Sequence, residues 1–180
     1  MAELAATNHR AGASFAEVAG YAFGLRQLAT FLVPNLYGSP AHHAVFDWAI
    51  RERVALQPHA MWGTAWGTKN YVEAAAYVGL LPWALAPIAL ADPRRRRTAL
   101  FLVVLAAAAL AFALGTPLYR LVFALPGIDQ LHSPFRWVFA FALALVALAG
   151  LGADALIAEG GAAPAVRRTA RWIGGLLLGV

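Results

Sequence analysis

Two short stretches carry side chains suited to holding a polar ligand. In Lys69-Asn70-Tyr71-Val72-Glu73, a carboxamide and a carboxylate stand at the entry of an apolar run, and Glu73 is the only charge in residues 71–91. A lone carboxylate in such a run points to a polar pocket at a membrane surface. Its plainer role is a helix-start charge favoured by the macrodipole, with Asn70 as the N-cap. The second stretch is Ser133-Pro134-Phe135-Arg136. The planar fork of Arg136 suits a lipid-linked phosphate or a sugar phosphate, whereas its plainer role is to snorkel toward phosphate head groups. His132 and Asp129 are close enough in sequence to belong to the same rim. The candidate substrate-binding residues are therefore Asn70, Glu73, His132 and Arg136.

Other chemistries lack their residues. His42, His43, His59 and His132 have no HExxH-like spacing, and there is no GxGxxG, Walker A or GxSxG motif. Asp47 and Glu52 are too far apart in sequence to share a helix face closely, so no catalytic carboxylate pair is evident. With no cysteine, the chain has neither a disulfide framework nor a thiolate site. No cofactor is identifiable from these residues.

The elements that must position the candidates are apolar helices. Residues 98–114 and 137–158 read as transmembrane spans, and 71–91 as a third, in which Pro82 and Pro87 predict a kink. Between the second and third spans in the chain, residues 115–136 contain Pro117, Pro126 and Pro134 with Arg120, Asp129, His132 and Arg136, so their backbone must meet water or protein. Upstream, Phe15, Val18, Ala22, Leu25, Leu28 and Leu32 recur near helical spacing. Arg26 would be costly inside a span, which favours an interfacial helix over 14–33 ending at Pro34. Residues 34–70 turn to Gly, Pro, Trp, His and charge, as in an extramembrane loop, within which 44–56 predicts one short amphipathic helix. Trp62, Trp66 and Tyr71 have the character of an interfacial aromatic belt.

Composition and charge agree with a membrane protein. The 180 residues are 61% hydrophobic and 13% charged, with a mean hydropathy of +0.64, outside the usual soluble range. The net charge of +5 does not point to nucleic acid, because half of the basic residues lie in Arg94-Arg95-Arg96-Arg97 and in Arg167, Arg168 and Arg171, beside apolar runs. By the positive-inside rule both loops are cytoplasmic, which puts residues 34–70 and 115–136 on the extracytoplasmic side. Asp154 then faces the cytoplasmic interface. The apolar run 172–180 is too short to span and reads as the start of a truncated span. The expected architecture is all-α: a single polytopic membrane domain, a transmembrane helix bundle with an extracytoplasmic loop and an interfacial helix, forming a fragment of a longer membrane chain.

The order of several motifs is similar to that of a known family. They are Val33-Pro34-Asn35-Leu36-Tyr37-Gly38, Trp66-Gly67 with Asn70 and Glu73, Tyr77 to Pro82, Leu114-Gly115-Thr116-Pro117-Leu118-Tyr119, Leu125-Pro126-Gly127, and Ser133 to Arg136 leading into Leu148 to Asp154. Across about residues 14–157 the chain resembles the bacterial YfhO-like membrane proteins, which are similar to the GT-C glycosyltransferases. The resemblance implies a multi-pass protein of the bacterial cytoplasmic membrane that transfers sugar from a polyprenyl-phosphate-linked donor on the outer face. It also implies that the catalytic carboxylate lies upstream of this chain, that a divalent metal is admissible by class analogy, and that Asn70, Glu73 and Arg136 line the donor or acceptor cavity. The alternative is a non-catalytic membrane component, a transporter segment or an assembly scaffold.

Overall fold

A computed structural model describes residues 14–36, 44–47, 52–55, 75–125, 133–158 and 163–179. Helix α1 (Phe15–Gly20) and a 3-10 turn (Leu25–Phe31) come first, followed by strands β1 (Ala44–Asp47) and β2 (Glu52–Ala55). Helices α2 (Leu81–Ala91), α3 (Arg96–Ala113), α4 (Tyr119–Phe123), α5 (Val138–Ile157) and α6 (Pro164–Leu178) complete the order, and a 3-10 turn (Pro134–Trp137) leads directly into α5. The described residues form two compact units, one of residues up to 77 with 110–138, the other of 78–109 with 139–179.

Most of the architecture is helical, with departures from expectation that have local causes. The stretch 14–33 is divided. Ser14 and Glu17 cap α1 reciprocally, the Glu17 N–H donating to Ser14 Oγ at 3.3 Å and the Ser14 N–H to Glu17 Oε2 at 2.7 Å. The chain then turns so that the Phe23 N–H donates to the Ala113 carbonyl at 2.7 Å, a tertiary bond that one continuous helix would forbid. Residues 44–47 and 52–55 are antiparallel strands, with Val45 opposite Val54, where a single amphipathic helix was expected. Val and Phe favour the extended backbone, and strand pairing satisfies each segment's polar groups without a helix. Within the run 71–91, the described residues 75–80 are not helical and α2 begins at Leu81, with Pro82 in its first turn. Pro82 therefore starts a helix and does not kink one, as its missing N–H and fixed φ favour. The 11 residues of α2 rise only about 16 Å, short of a hydrocarbon core of about 30 Å. Finally, 164–178 is one helix through what was read as a cytoplasmic loop followed by the start of a span.

Helix α3 and the Pro134–Ile157 segment are long and apolar enough to cross a membrane, with 22% and 39% of their most apolar windows buried within the described protein. The core helix of a water-soluble protein is mostly covered. These instead expose Phe101 and Val104 on α3 and Phe139 and Leu143 on α5.

The second unit is held by small residues and one polar clasp. Gly152 of α5 meets α2 so closely that an added Cβ would stand 2.1 Å from the Leu85 carbonyl oxygen, so the two backbones touch where only glycine fits. Ala89, Ala99 and Leu148 form one buried cluster beside this contact, and Ile88, Ala155 and Val166 form another. Close approach through Ala and Gly is how helices associate where no hydrophobic effect drives them together. Trp83 and Phe141 pack with ring centres 5.9 Å apart.

Candidate functional site

The first unit gathers two of the motifs that flank the apolar helices. Helix α3 ends in a Schellman motif: the Thr116 N–H donates to the Ala111 carbonyl at 3.2 Å and the Gly115 N–H to the Phe112 carbonyl at 2.9 Å. Gly115 has φ +62°, and an added Cβ would lie 2.6 Å from the Ala22 Cβ, so both backbone and packing require glycine. Pro117 then prevents the helix from continuing.

This reversal drives Tyr119 into the unit, where it is only 2% exposed. Phe112 lies beneath it at 6.2 Å between ring centres, and meets Trp137 edge-on at 5.0 Å. Burial pushes the Tyr119 phenol above its ordinary value, and the neighbouring Trp137 side chain opposes part of that rise. Phe15 packs on Phe123 at 5.6 Å, with the Arg120 guanidinium 4.9 Å above the Phe15 ring, a cation–π arrangement.

Arg136 stands at the edge of this aromatic base. Its neighbours Phe135 and Val138 are buried and its backbone N–H donates to the Ser133 carbonyl at 3.0 Å, while the residue itself is exposed. The local chain is anchored and the residue is exposed, a setting in which an arginine can grip a phosphate. Asn70, Glu73, His132 and Asp129 lie outside the described residues. Of the four candidates, only Arg136 therefore has a described position. No group of three or more His, Cys, Asp or Glu that could hold a metal ion occurs among the described residues.

Reasoning from sequence missed the polar clasp of the second unit. Arg95 donates from Nε to Asp154 Oδ2 at 2.9 Å and also pairs through its terminal nitrogens with Asp154 and Asp92. The Arg94 N–H donates to Asp92 Oδ1 at 3.0 Å. The Arg95 guanidinium is the chief cause holding the Asp92 carboxyl below its ordinary value, against its burial, with the Arg94 N–H assisting. The Asp92 bond, then the Asp154 bond, raises Arg95 in turn. Asp92, Arg95, Ala155 and Ala163 border one small cavity of about 150 Å³. The α2–α3 loop, the end of α5 and the start of α6 thus meet at one end of this unit. The sequence signal was faint: Asp92 opens an arginine run, and Asp154 is the only charge in α5.

Among known proteins, no family model, curated protein or solved structure matches the chain.

Proposed function

We propose that the chain is a segment of a multi-pass glycosyltransferase-like protein of the bacterial cytoplasmic membrane, acting on a polyprenyl-phosphate-linked sugar donor at the outer face. The observation that carries this reading is the convergence of Tyr119 and Trp137 on the Phe112 ring. It brings the Leu114 to Tyr119 motif beside Trp137, the residue that directly follows Ser133 to Arg136. These two stretches are among the motifs on which the resemblance to YfhO-like proteins rests, and Arg136 is exposed. In this reading Arg136 holds a donor phosphate, and Asn70, Glu73 and His132 complete the rim. Membrane insertion is supported by the exposed apolar faces of α3 and α5. The expected orientation is supported by the clasp, which draws both arginine clusters toward one end of the second unit, as the positive-inside rule requires.

The test is transfer of radiolabelled sugar from polyprenyl-phosphate donors in membranes that contain the chain with the sequence flanking it in its gene. Transfer that falls by about 10- to 100-fold in both Glu73→Gln and Arg136→Ala, as expected when a charged contact worth about 1.5–3 kcal/mol is removed, supports the reading. No transfer from any donor sinks it.

One observation favours a non-catalytic membrane component instead. The three carboxylates whose side chains are described all have structural partners: Glu17 caps α1, and Asp92 and Asp154 hold Arg95. Unchanged transfer in both variants would move the donor site away from Arg136, and complete inactivity of the intact protein would favour this second reading.

A further inference from the structure

Helix α6 has two faces with different fates. Val166, Ala170 and Ile173 pack inward on Leu85, Ile88 and Ala155. On the opposite face Arg168, Arg171, Trp172, Gly175, Leu176 and Gly179 line an open groove of about 710 Å³. Their spacing of three or four residues places them on one stripe along the helix. Trp172 is 73% and Leu176 81% exposed, an apolar surface that water would not favour.

Charge is divided along this stripe. Arg168 and Arg171 lie in the first half and at the middle of α6, while the end of the groove is apolar. Helix α6 contains no Asp or Glu, and no described carboxylate forms a salt bridge with Arg167, Arg168 or Arg171. Gly175 lines the groove between Trp172 and Leu176, and having no side chain it leaves the floor of the furrow low there. A cationic mouth that continues into an apolar furrow complements an anionic amphiphile. A soluble anion would use the first part only, and a neutral lipid the second.

We infer that the outer face of α6 binds one anionic glycerophospholipid, its phosphate between Arg168 and Arg171 and an acyl chain along Gly175 between Trp172 and Leu176. Neither sugar transfer nor the Arg136 rim enters this inference. The ligand ties the unit to the leaflet that both arginine clusters face, and its phosphate supplies a counter-charge that no described carboxylate provides.

The test uses the purified full chain in mild detergent, titrated with phosphatidylglycerol or phosphatidylcholine, with bound lipids counted by native mass spectrometry. One phosphatidylglycerol should dominate, and Arg168→Gln/Arg171→Gln should weaken it by about tenfold or more, the loss expected for charged contacts of about 1.5–3 kcal/mol. Gly175→Leu, which fills the furrow and leaves both charges, should weaken the lipid by a similar factor. Circular dichroism of each variant checks that the helices remain; if the double arginine variant does not fold, Gly175→Leu decides alone. Equal binding of the two lipids overturns the inference, as does loss of binding in Arg94→Gln/Arg96→Gln/Arg97→Gln with none in Arg168→Gln/Arg171→Gln. Displacement of the lipid by inorganic phosphate at equal concentration overturns the acyl-chain part and leaves a site for phosphate alone.

Discussion

Arg95 and Asp154 are 59 residues apart in the chain, yet the Arg95 Nε–H donates to Asp154 Oδ2 at 2.9 Å. The same guanidinium holds Asp92, so one side chain ties the α2–α3 loop to the end of α5. The two carboxylates differ in setting: the Asp92 side chain is 6% exposed and that of Asp154 58%.

That difference predicts an order of effects. Arg95→Gln should lower the unfolding midpoint in detergent more than Asp154→Asn, because it leaves Asp92 buried without its cation, whereas Asp154 is already solvated. A larger loss in Asp154→Asn would show that the exposed arm carries the clasp.

The pH dependence follows from Asp92. Its folded value lies below the ordinary 3.8, so its contribution to stability is complete well above 3.8, declines as pH falls from there through the depressed folded value, and is absent below it. Acid titration of the unfolding midpoint should show this decline in the native chain, and Asp92→Asn should flatten it. An unchanged profile in the variant would assign the acid sensitivity to other carboxylates.

Gly152→Ala places a Cβ against the Leu85 backbone, which cannot swing aside as a flexible side chain can. A loss of about 1–3 kcal/mol is expected, the usual cost of overpacking. Gly150→Ala, with nothing within 4 Å of its added Cβ, should instead gain up to about 1 kcal/mol of helix propensity. Chemical unfolding of both variants gives the comparison, and equal stabilities would mean that α2 and α5 are not in backbone contact.

Tyr119 connects two motifs, and its loss should be felt in the first unit. Tyr119→Ala empties a buried site packed against Phe15 and Phe112 and should cost about 3–5 kcal/mol in chemical unfolding, as truncating a buried aromatic ring does. In the native chain this phenol should ionise only above the ordinary 10.0. The stability linked to its proton is therefore complete below 10.0 and lost as pH rises through the folded value. Alkaline absorbance titration should lose its highest-pH component in Tyr119→Phe, and a variant that retains it would place that component on another tyrosine.

The sequence by itself determined the parts whose cause is local. Unbroken Ala, Leu, Val and Phe were enough to locate α3 and α5, because an uncharged run of that length can only be a helix in lipid or in a core. Leu114-Gly115-Thr116-Pro117 likewise carries its own stop, since a left-handed glycine followed by proline cannot prolong a helix. Tertiary structure decided the rest. Residues 15–31 have helical periodicity but divide because the Phe23 N–H finds the Ala113 carbonyl. The apolar run before Leu81 could not reveal where α2 starts, and Arg167 to Leu178 changed from loop-like to apolar without showing that one helix carries both. Arg136 could be named from its motif, but its aromatic footing required Phe112, Tyr119 and Trp137 to converge from separate segments. The Arg95 clasp was hidden for the same reason. Local patterning sets where a segment's polar and apolar groups lie, while the partner that satisfies them is chosen only when distant segments meet.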